Sequence, residues 1–519
     1  MDLGVSPATV RLMSETGIEP SRLVRQLPDP KGTDGIIHDP DDETLRAAAT
    51  GEETTTEFGS PAYVSEFRSR CAERTKNRVD HDFDAEDWDA IESAIEEVAA
   101  VAEGGDRELF CLDRVVGRHP AVAQVCRLFV PREHARIALA WGRLLEPAPP
   151  DAEPDLYTIQ LPDRDEVAIR VLPETGLTVV LGSDYTGEAK KSFLRLFMYR
   201  AKQEGGLGLH AGSKRVVLDD EAGSRTIGQL FLGLSGTGKT TLTGHGLWLD
   251  DPECAEMLQD DVCALLPEGT VAGSEGAGLY IKTEGLDADE QPALSHAATQ
   301  PSAVLENVQV DEGGTVDFDD DSLTANGRAV VQRDDVPSAA ADLDLPAVDQ
   351  ACFITRNPLM APVARLTPEQ AGVAFMLGES VETSAGDPER AGEAVRVVGT
   401  NPFIVGSEGE EGNRFCELVR ENDIECYLLN TGCVGDRDVT VEDTVAILEA
   451  LARGRAEWTH DEVVGLALPE KIPRVDLPAL YPPARVEAYA DRIVELRAER
   501  RAYLDSFSDL DEAIRNAVY

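Results

Sequence analysis

Residues Gly233 to Thr241 read Gly-Leu-Ser-Gly-Thr-Gly-Lys-Thr-Thr, and they constrain this chain more than any other stretch. They satisfy G-x-x-x-x-G-K-[ST], a glycine-rich turn that wraps its backbone N–H groups around the phosphates of a nucleotide. On this pattern Lys239 reaches the β- and γ-phosphates, and the Thr240 hydroxyl holds Mg²⁺. Gly233, Leu234, Ser235, Gly236, Thr237, Gly238 and Thr241 form the rest of the cradle. The flanks agree: Gln229-Leu-Phe-Leu232 is an apolar run of strand type, and Thr240 to Thr243 opens a helix. A strand–loop–helix unit of this kind places the chain among α/β folds that bind a nucleoside triphosphate.

The remaining composition narrows the setting. A net charge of −49 over 519 residues repels nucleic acid and anionic membranes alike. Hydrophobic residues still make up 42% of the chain, at helical and strand spacing, so it has the material for a folded core. Only nine of the 48 basic residues are lysine. An acidic, lysine-poor, folded chain reads as halophilic, adapted to a cytoplasm whose salt screens carboxylate repulsion. Nine cysteines without a C-x-x-C pair point to reduced thiols rather than a disulfide framework or zinc site. The start, Met1-Asp-Leu-Gly-Val-Ser, has neither the basic nor the apolar region of a secretion signal, and no apolar run approaches membrane-spanning length. The expectation is a cytoplasmic protein without a membrane partner.

Along the chain, Thr9 to Gln26 shows a weak helical pattern. Glu86 to Glu103 reads as an amphipathic helix with Trp88, Ile91, Ile95 and Val98 on one face. Glu108–Leu112 and Leu177–Leu181 read as strands, and Pro147 to Pro154 as a surface loop. Asp219 to Arg225 also reads as a loop, which sets the expected division: an N-terminal α/β domain over 1–224 and a P-loop α/β domain over 225–519, two lobes with the site between them. In the second part Ala255–Leu258 and Glu425–Leu429 read as strands. Thr440 to Leu451 reads as a helix with Thr440 as N-cap, and Val486 to Leu504 as a charged helix with Tyr489, Ile493 and Leu496 inward. Asp317-Phe-Asp-Asp-Asp321 lacks the glycine and distal Glu of a calcium loop and reads as a solvated turn.

Scarce lysines mark candidate sites. Lys190 and Lys191 are adjacent in Tyr185-Thr-Gly-Glu-Ala-Lys-Lys, and Lys282 sits in Leu279-Tyr-Ile-Lys-Thr. Lysine, unlike arginine, becomes a neutral amine under modest perturbation, which suits a place beside a metal. The plain competitor is a solvated helix start. His210, in Leu207-Gly-Leu-His-Ala-Gly, is open to two readings, a metal ligand or a hydrogen-bonded strand histidine. Asp260-Asp261 after an apolar run fits the carboxylate that P-loop folds place beside the metal.

Tyr185 to Lys191, His210, Gly233 to Thr241, Asp260-Asp261, Leu305-Glu-Asn-Val308 and Arg328 occur in an order and spacing that resembles ATP-dependent phosphoenolpyruvate carboxykinase. The similarity runs with gaps from about residue 60 to the C-terminus. It implies a gluconeogenic carboxy-lyase that converts oxaloacetate and ATP reversibly into phosphoenolpyruvate, CO₂ and ADP. The oligomeric state is not legible in the sequence, with a monomer favoured. The resemblance implies that Lys191, His210 and Asp261 bind Mn²⁺, and that Lys190 and Tyr185 contact substrate. Glu306, Lys282 and Arg328 would surround the triphosphate, with Thr444 near the base. On their own, Glu306 also reads as a turn residue and Thr444 as part of a capped helix start. Lys190, Lys191, Lys239 and Arg328 carry the chemistry on this reading.

Two segments depart from the family pattern. Its arginine-bearing substrate loop is echoed loosely by Arg74-Thr-Lys-Asn-Arg78, which nominates Arg74. A basic residue before the late helix aligns with Asp438, one position after Arg437. The rival classes are a P-loop kinase without decarboxylation and a nucleotide-driven switch, neither of which needs a lysine-ligated second metal. The charge balance yields a first prediction. Thermal melting followed by circular dichroism should show Tm rising steadily from dilute buffer to molar KCl, and an unchanged Tm would contradict the halophilic reading.

Overall fold

A computed structural model describes residues 20–105, 107–220, 223–234, 236–288, 291–381 and 394–519. The chain is a mixed α/β protein with several sheets. Most of the Thr9–Gln26 pattern lies outside the described residues, which begin with the short helix Pro20–Val24.

The first large sheet is built from the front of the chain. Its strands run in the order Ile36–His38, Leu109–Val116, Gln124–Pro131, Leu156–Leu161, Leu177–Leu181, Ala168–Leu172 and Thr75–Asn77, with Glu146–Pro147 on the side of Leu109–Val116. Both faces of its central strands are covered, which is why those strands are mostly apolar on both sides. Leu109 and Cys111 face a layer containing Trp88, Ile91, Ile95 and Val98 of the helix Ala85–Ala102. Phe110 and Leu112 face the opposite layer, with Phe193, Leu196 and Phe197 of the helix Thr186–Gln203. Asp84 and Asp87 close the start of Ala85–Ala102 as a reciprocal capping box.

The second large sheet carries the glycine-rich loop. Its order is Cys254–Gln259, Ala211–Asp220, Gly223–Leu232, Gln350–Thr355, Glu425–Asn430, Val363–Leu366, Leu466–Lys471 and Glu457–Asp461. The middle three, Gly223–Leu232, Gln350–Thr355 and Glu425–Asn430, are parallel. The glycine-rich loop leaves the carboxyl end of the first of them, the usual ligand edge of such a sheet. Thr431, just past the third, donates its hydroxyl to the Thr237 carbonyl at 2.9 Å and ties the loop to that edge.

Of the stretch read as a loop, Asp219, Asp220 and Gly223 to Arg225 are paired strand. They are the outer end of a long hairpin in which Ala211–Asp220 pairs with Gly223–Leu232. This end is polar because it stands in solvent, with Gly223, Ser224, Arg225 and Thr226 exposed. The hairpin straddles residue 224, so the second sheet already begins at Ala211. A five-stranded sheet then joins distant parts of the chain. Pro61–Tyr63 from the front lies parallel to Val304–Glu306, which continues into Arg328–Gln332 and Gly278–Lys282. The late helix runs Val441–Ala452 with Thr440 and Asp443 as a capping box, and the last long helix Tyr489–Leu504 buries Tyr489 and Ile493. At Asp317 the carboxylate accepts from the backbone of Asp319 and Asp320, a local turn. Among the described residues no helix is long and apolar enough to cross a membrane.

Candidate active site

Three separate stretches converge on one carboxylate. The helix Thr186–Gln203 brings Lys190 and Lys191 in its first two turns, the junction before Ala211–Asp220 brings His210, and the end of Cys254–Gln259 brings Asp261. Gly187 is required at this helix start, because a Cβ there would lie 2.3 Å from the Tyr185 ring. Lys190 Nζ lies 2.9 Å from Asp261 Oδ2 and 3.1 Å from Glu275 Oε2. Lys191 bonds the same Asp261 oxygen, and His210 Nε2 lies 2.9 Å from Asp261 Oδ1.

The two lysines differ in charge state. Burial opposes the charge on Lys190, but Asp261 and Glu275 hold its pKa above the usual lysine value. Burial pulls Lys191 down to about 7, with Lys190 adding to the fall and Asp261 opposing it. Burial would raise the Asp261 carboxyl, yet Lys190 and Lys191 hold it well below the usual range. Burial and the nearby Lys239 take His210 down to about 4, so its ring is neutral near pH 7.

The His210 tautomer decides what the cluster suits. Its Nδ1 lies 2.6 Å from the Thr400 carbonyl, which only accepts, so Nδ1 carries the proton. Nε2 then presents a lone pair to a carboxylate oxygen at 2.9 Å. Two lone pairs at that distance repel unless a cation lies with them. A neutral imidazole, a carboxylate and an easily deprotonated amine together form a nitrogen–oxygen donor set that suits a divalent ion of the Mn²⁺ type.

The glycine-rich loop borders this cluster. Gly236 and Gly238 have φ of 78° and 94°, which favours glycine. Gly233 packs against Thr237, whose hydroxyl donates to the Leu234 carbonyl at 2.8 Å. Ser235 lies outside the described residues. Lys239 is buried, 3.6 Å from Asp261 Oδ1, and its ammonium makes no hydrogen bond within the protein. The Thr240 hydroxyl lies beside Asp260, whose carboxyl is pushed up by burial and by the neighbouring Asp261 charge. Thr241 follows on the same short helix, Lys239–Gly244.

A second group of side chains lies across from the loop. The cations of Lys190 and Arg328 both stand over the Tyr280 ring, at 5.2 and 5.4 Å from its centroid. Arg328 donates to Asn326 Oδ1 at 2.7 Å, and Asn326 in turn donates to the Tyr185 hydroxyl at 3.3 Å. Lys282 is the cross-strand partner of Arg328 and pairs with Glu284. Glu306 spends its carboxylate on protein: the Tyr280 hydroxyl at 2.5 Å, the Thr186 N–H at 3.1 Å and Arg136 at 3.5 Å. It thereby joins the lysine-bearing helix to the sheet that carries Tyr280 and Arg328. Thr444 is buried and returns its hydroxyl to the Thr440 carbonyl at 3.0 Å, while Arg437 and Asp438 are exposed on a short hairpin.

Arg74 does not join this group. It ends the short helix Ala72–Arg74 with its side chain exposed, and its carbonyl accepts from Arg170. Arg70, four residues earlier, takes the inward place. It stands 4.3 Å from the centroid of Phe403 and feels the charges of Glu188, Tyr185, Asp261 and Arg328. Lys191 lies 4.7 Å from the same Phe403 centroid. Four arginines crowd residues 68 to 78, and nothing in their spacing separates Arg70 from the others. Glu275, Phe403 and Thr400 likewise carry no local signal, since only long-range packing brings them here.

A family model described as phosphoenolpyruvate carboxykinase matches residues 36–477. The chain belongs to that family. A phosphoenolpyruvate carboxykinase (ATP) of Aeropyrum pernix is 36% identical over 462 residues, 87% of this chain and 90% of the relative. One from Rhizobium rhizogenes is 32% identical over 62% of this chain and 59% of its own length. Another, from Rhizobium leguminosarum bv. trifolii, is 29% identical over 80% of each. Of the motifs that carry the resemblance in the sequence, Lys190, Lys191 and His210 meet at Asp261 beside the P-loop lysine, while Glu306 and Arg328 gather at Tyr280.

The cluster's electrostatics make a prediction about stability. Asp261→Asn leaves buried ammonium groups short of their counter-charge and should cost about 3 kcal/mol in ligand-free protein. Lys239→Met removes a buried cation that lacks a hydrogen bond and should leave stability unchanged or raised. Urea unfolding of the three proteins measures both, and an Asp261→Asn protein as stable as the parent would contradict the assignment.

Proposed function

We propose that this carboxykinase acts at the Asp261 cluster, converting oxaloacetate and ATP reversibly into phosphoenolpyruvate, CO₂ and ADP. The observation that carries the reading is the meeting of Lys190, Lys191 and His210 on one carboxylate 3.6 Å from the P-loop lysine. A kinase that only moves a phosphoryl group has no use for that second cluster.

Two carboxylates on oxaloacetate need cations. Arg70 offers one from the front of the chain, in place of Arg74, and Tyr185 a hydroxyl close to it. Loss of CO₂ breaks a C–C bond and leaves its electron pair as an enolate, whose charge settles on oxygen. Lys190, held as ammonium, faces that charge in a buried setting, where a fixed cation acts strongly. The enolate oxygen then attacks the γ-phosphorus in line, the bond to the β-phosphate oxygen breaks, and ADP leaves. Lys239 and Arg328 spread the charge of the transferring group, with Lys282 beside them.

Mn²⁺ would be held by Lys191, His210 and Asp261, and Mg²⁺ by Thr240, supplying Lewis acidity toward the enolate and phosphoryl oxygens. The first sheet then belongs to a substrate-binding half and the second to a nucleotide-binding half, the lobes meeting at the cluster. Thr444, on the helix Val441–Ala452, would stand near the base, as the resemblance implies. The acidic balance fits a small-molecule enzyme of a salt-rich cytoplasm, with no nucleic-acid or membrane partner.

The test is an assay in molar KCl with ATP, oxaloacetate, Mg²⁺ and Mn²⁺. Phosphoenolpyruvate and CO₂ should appear in equal amounts. Lys191→Ala should lose about 100-fold or more in kcat/KM. Arg70→Gln should raise KM for oxaloacetate about tenfold and leave that for ATP unchanged. ATP hydrolysis without phosphoenolpyruvate, from folded protein, would overturn the proposal.

A further inference from the structure

Lys214 is fully buried, and no carboxylate among the described residues lies within ion-pair distance. It lies on the strand Ala211–Asp220, which begins one residue after His210 and pairs along its length with the strand leading into the glycine-rich loop. Its ammonium donates to the His245 carbonyl at 2.6 Å and to the Leu242 carbonyl, and stands 5.6 Å from the Phe231 centroid. An uncompensated buried cation is costly, and burial pulls this one down to about 7. The chain nevertheless keeps lysine here, at one of only nine lysine positions.

Both carbonyls belong to the far end of the P-loop helix, Lys239–Gly244. At His245 the backbone turns extended, with φ −75° and ψ 131°, so the chain does not fold back to satisfy them. The helix end presents partial negative charge, and Lys214 meets it with a cation. A second contact fixes the same docking. Gly212, two residues before Lys214 and on the same face, leaves room for Thr243, where a Cβ would lie 2.3 Å from the threonine hydroxyl. That hydroxyl returns to the Lys239 carbonyl at 2.8 Å. One strand thus holds the last turn of the helix, at Thr243 through Gly212 and at Leu242 and His245 through Lys214. The helix is only six residues long, so holding that end also sets the other, which bears Lys239 and Thr240.

We propose that Lys214 is a positioning residue for nucleotide binding, anchoring the P-loop helix so that Lys239 and Thr240 meet the phosphates at a set place relative to His210 and Asp261. The proposal rests on the nucleotide-binding reading of the loop and deepens it. Its test is ADP affinity by calorimetry in molar KCl for the parent, Lys214→Met and Lys214→Gln. Ile95→Ala, a core change in the first sheet's helix layer, serves as a control for general destabilisation.

ADP should bind at least tenfold more weakly to Lys214→Met. Lys214→Gln, which keeps an N–H donor, should fall between it and the parent, and it carries the test if Lys214→Met does not fold. KM for ATP should rise in step while KM for oxaloacetate stays put, and Ile95→Ala should lower Tm without changing ADP affinity. Lys214 variants within twofold of the parent, or an equal loss of affinity in Ile95→Ala, would overturn the proposal. A parent protein that fails to bind ADP would overturn the nucleotide reading itself, and this proposal with it.

Discussion

The Asp261 carboxylate is the interaction on which the site depends. Lys190 and Lys191 come from one helix and His210 from the start of a strand that shares no local structure with it, and each finishes within hydrogen-bond reach of the carboxylate. Without that negative charge the two neighbouring lysines would repel in a buried setting. With it, one lysine is held charged and the other is left close to losing its proton. Asp261 favours the charged form of both, and burial together with the charge of Lys190 is what leaves Lys191 close to a neutral amine while Lys190 stays an ammonium.

That sorting needs a rigid frame, and the fold supplies one from two directions. The helix of Lys190 and Lys191 is packed on the first sheet through Phe193, Leu196 and Phe197, while Asp261 lies two residues past the end of an edge strand of the second, Cys254–Gln259. Glu306 ties the helix start to Tyr280, whose ring lies under both Lys190 and Arg328. Its role in holding the site is thus to position other cations rather than to offer a free carboxylate. On the nucleotide side the frame is the pair of adjacent strands that carry the glycine-rich loop and His210. Lys239 enters this frame without a hydrogen bond to the protein, a stability cost of the kind that functional sites carry.

Much of this is readable in the chain because it is local. The P-loop lies within nine residues, the helix of Trp88, Ile91, Ile95 and Val98 repeats at helical period, and Thr440 announces its helix by capping. Lys190 and Lys191 stand out because lysine is rare. What escapes is set by long-range packing. Arg70 rather than Arg74 turns inward, because a short helical turn sends Arg74 to solvent while Phe403, more than 300 residues away in sequence, receives Arg70. The polar stretch at Asp219 to Arg225 looks like a loop because its strands are solvated at that end, not because pairing stops. Glu306 gives no sign in sequence that its carboxylate is already taken.

The central claim is that Lys191, His210 and Asp261 form one divalent-cation site beside the nucleotide. Its most direct test is Mn²⁺ binding, followed by the loss of the free-ion electron paramagnetic resonance signal, in molar KCl with ADP present. The account predicts saturable binding to the parent chain and binding at least about tenfold weaker in His210→Ala, whose fold is checked by circular dichroism. Equal Mn²⁺ affinity in the two proteins would contradict it.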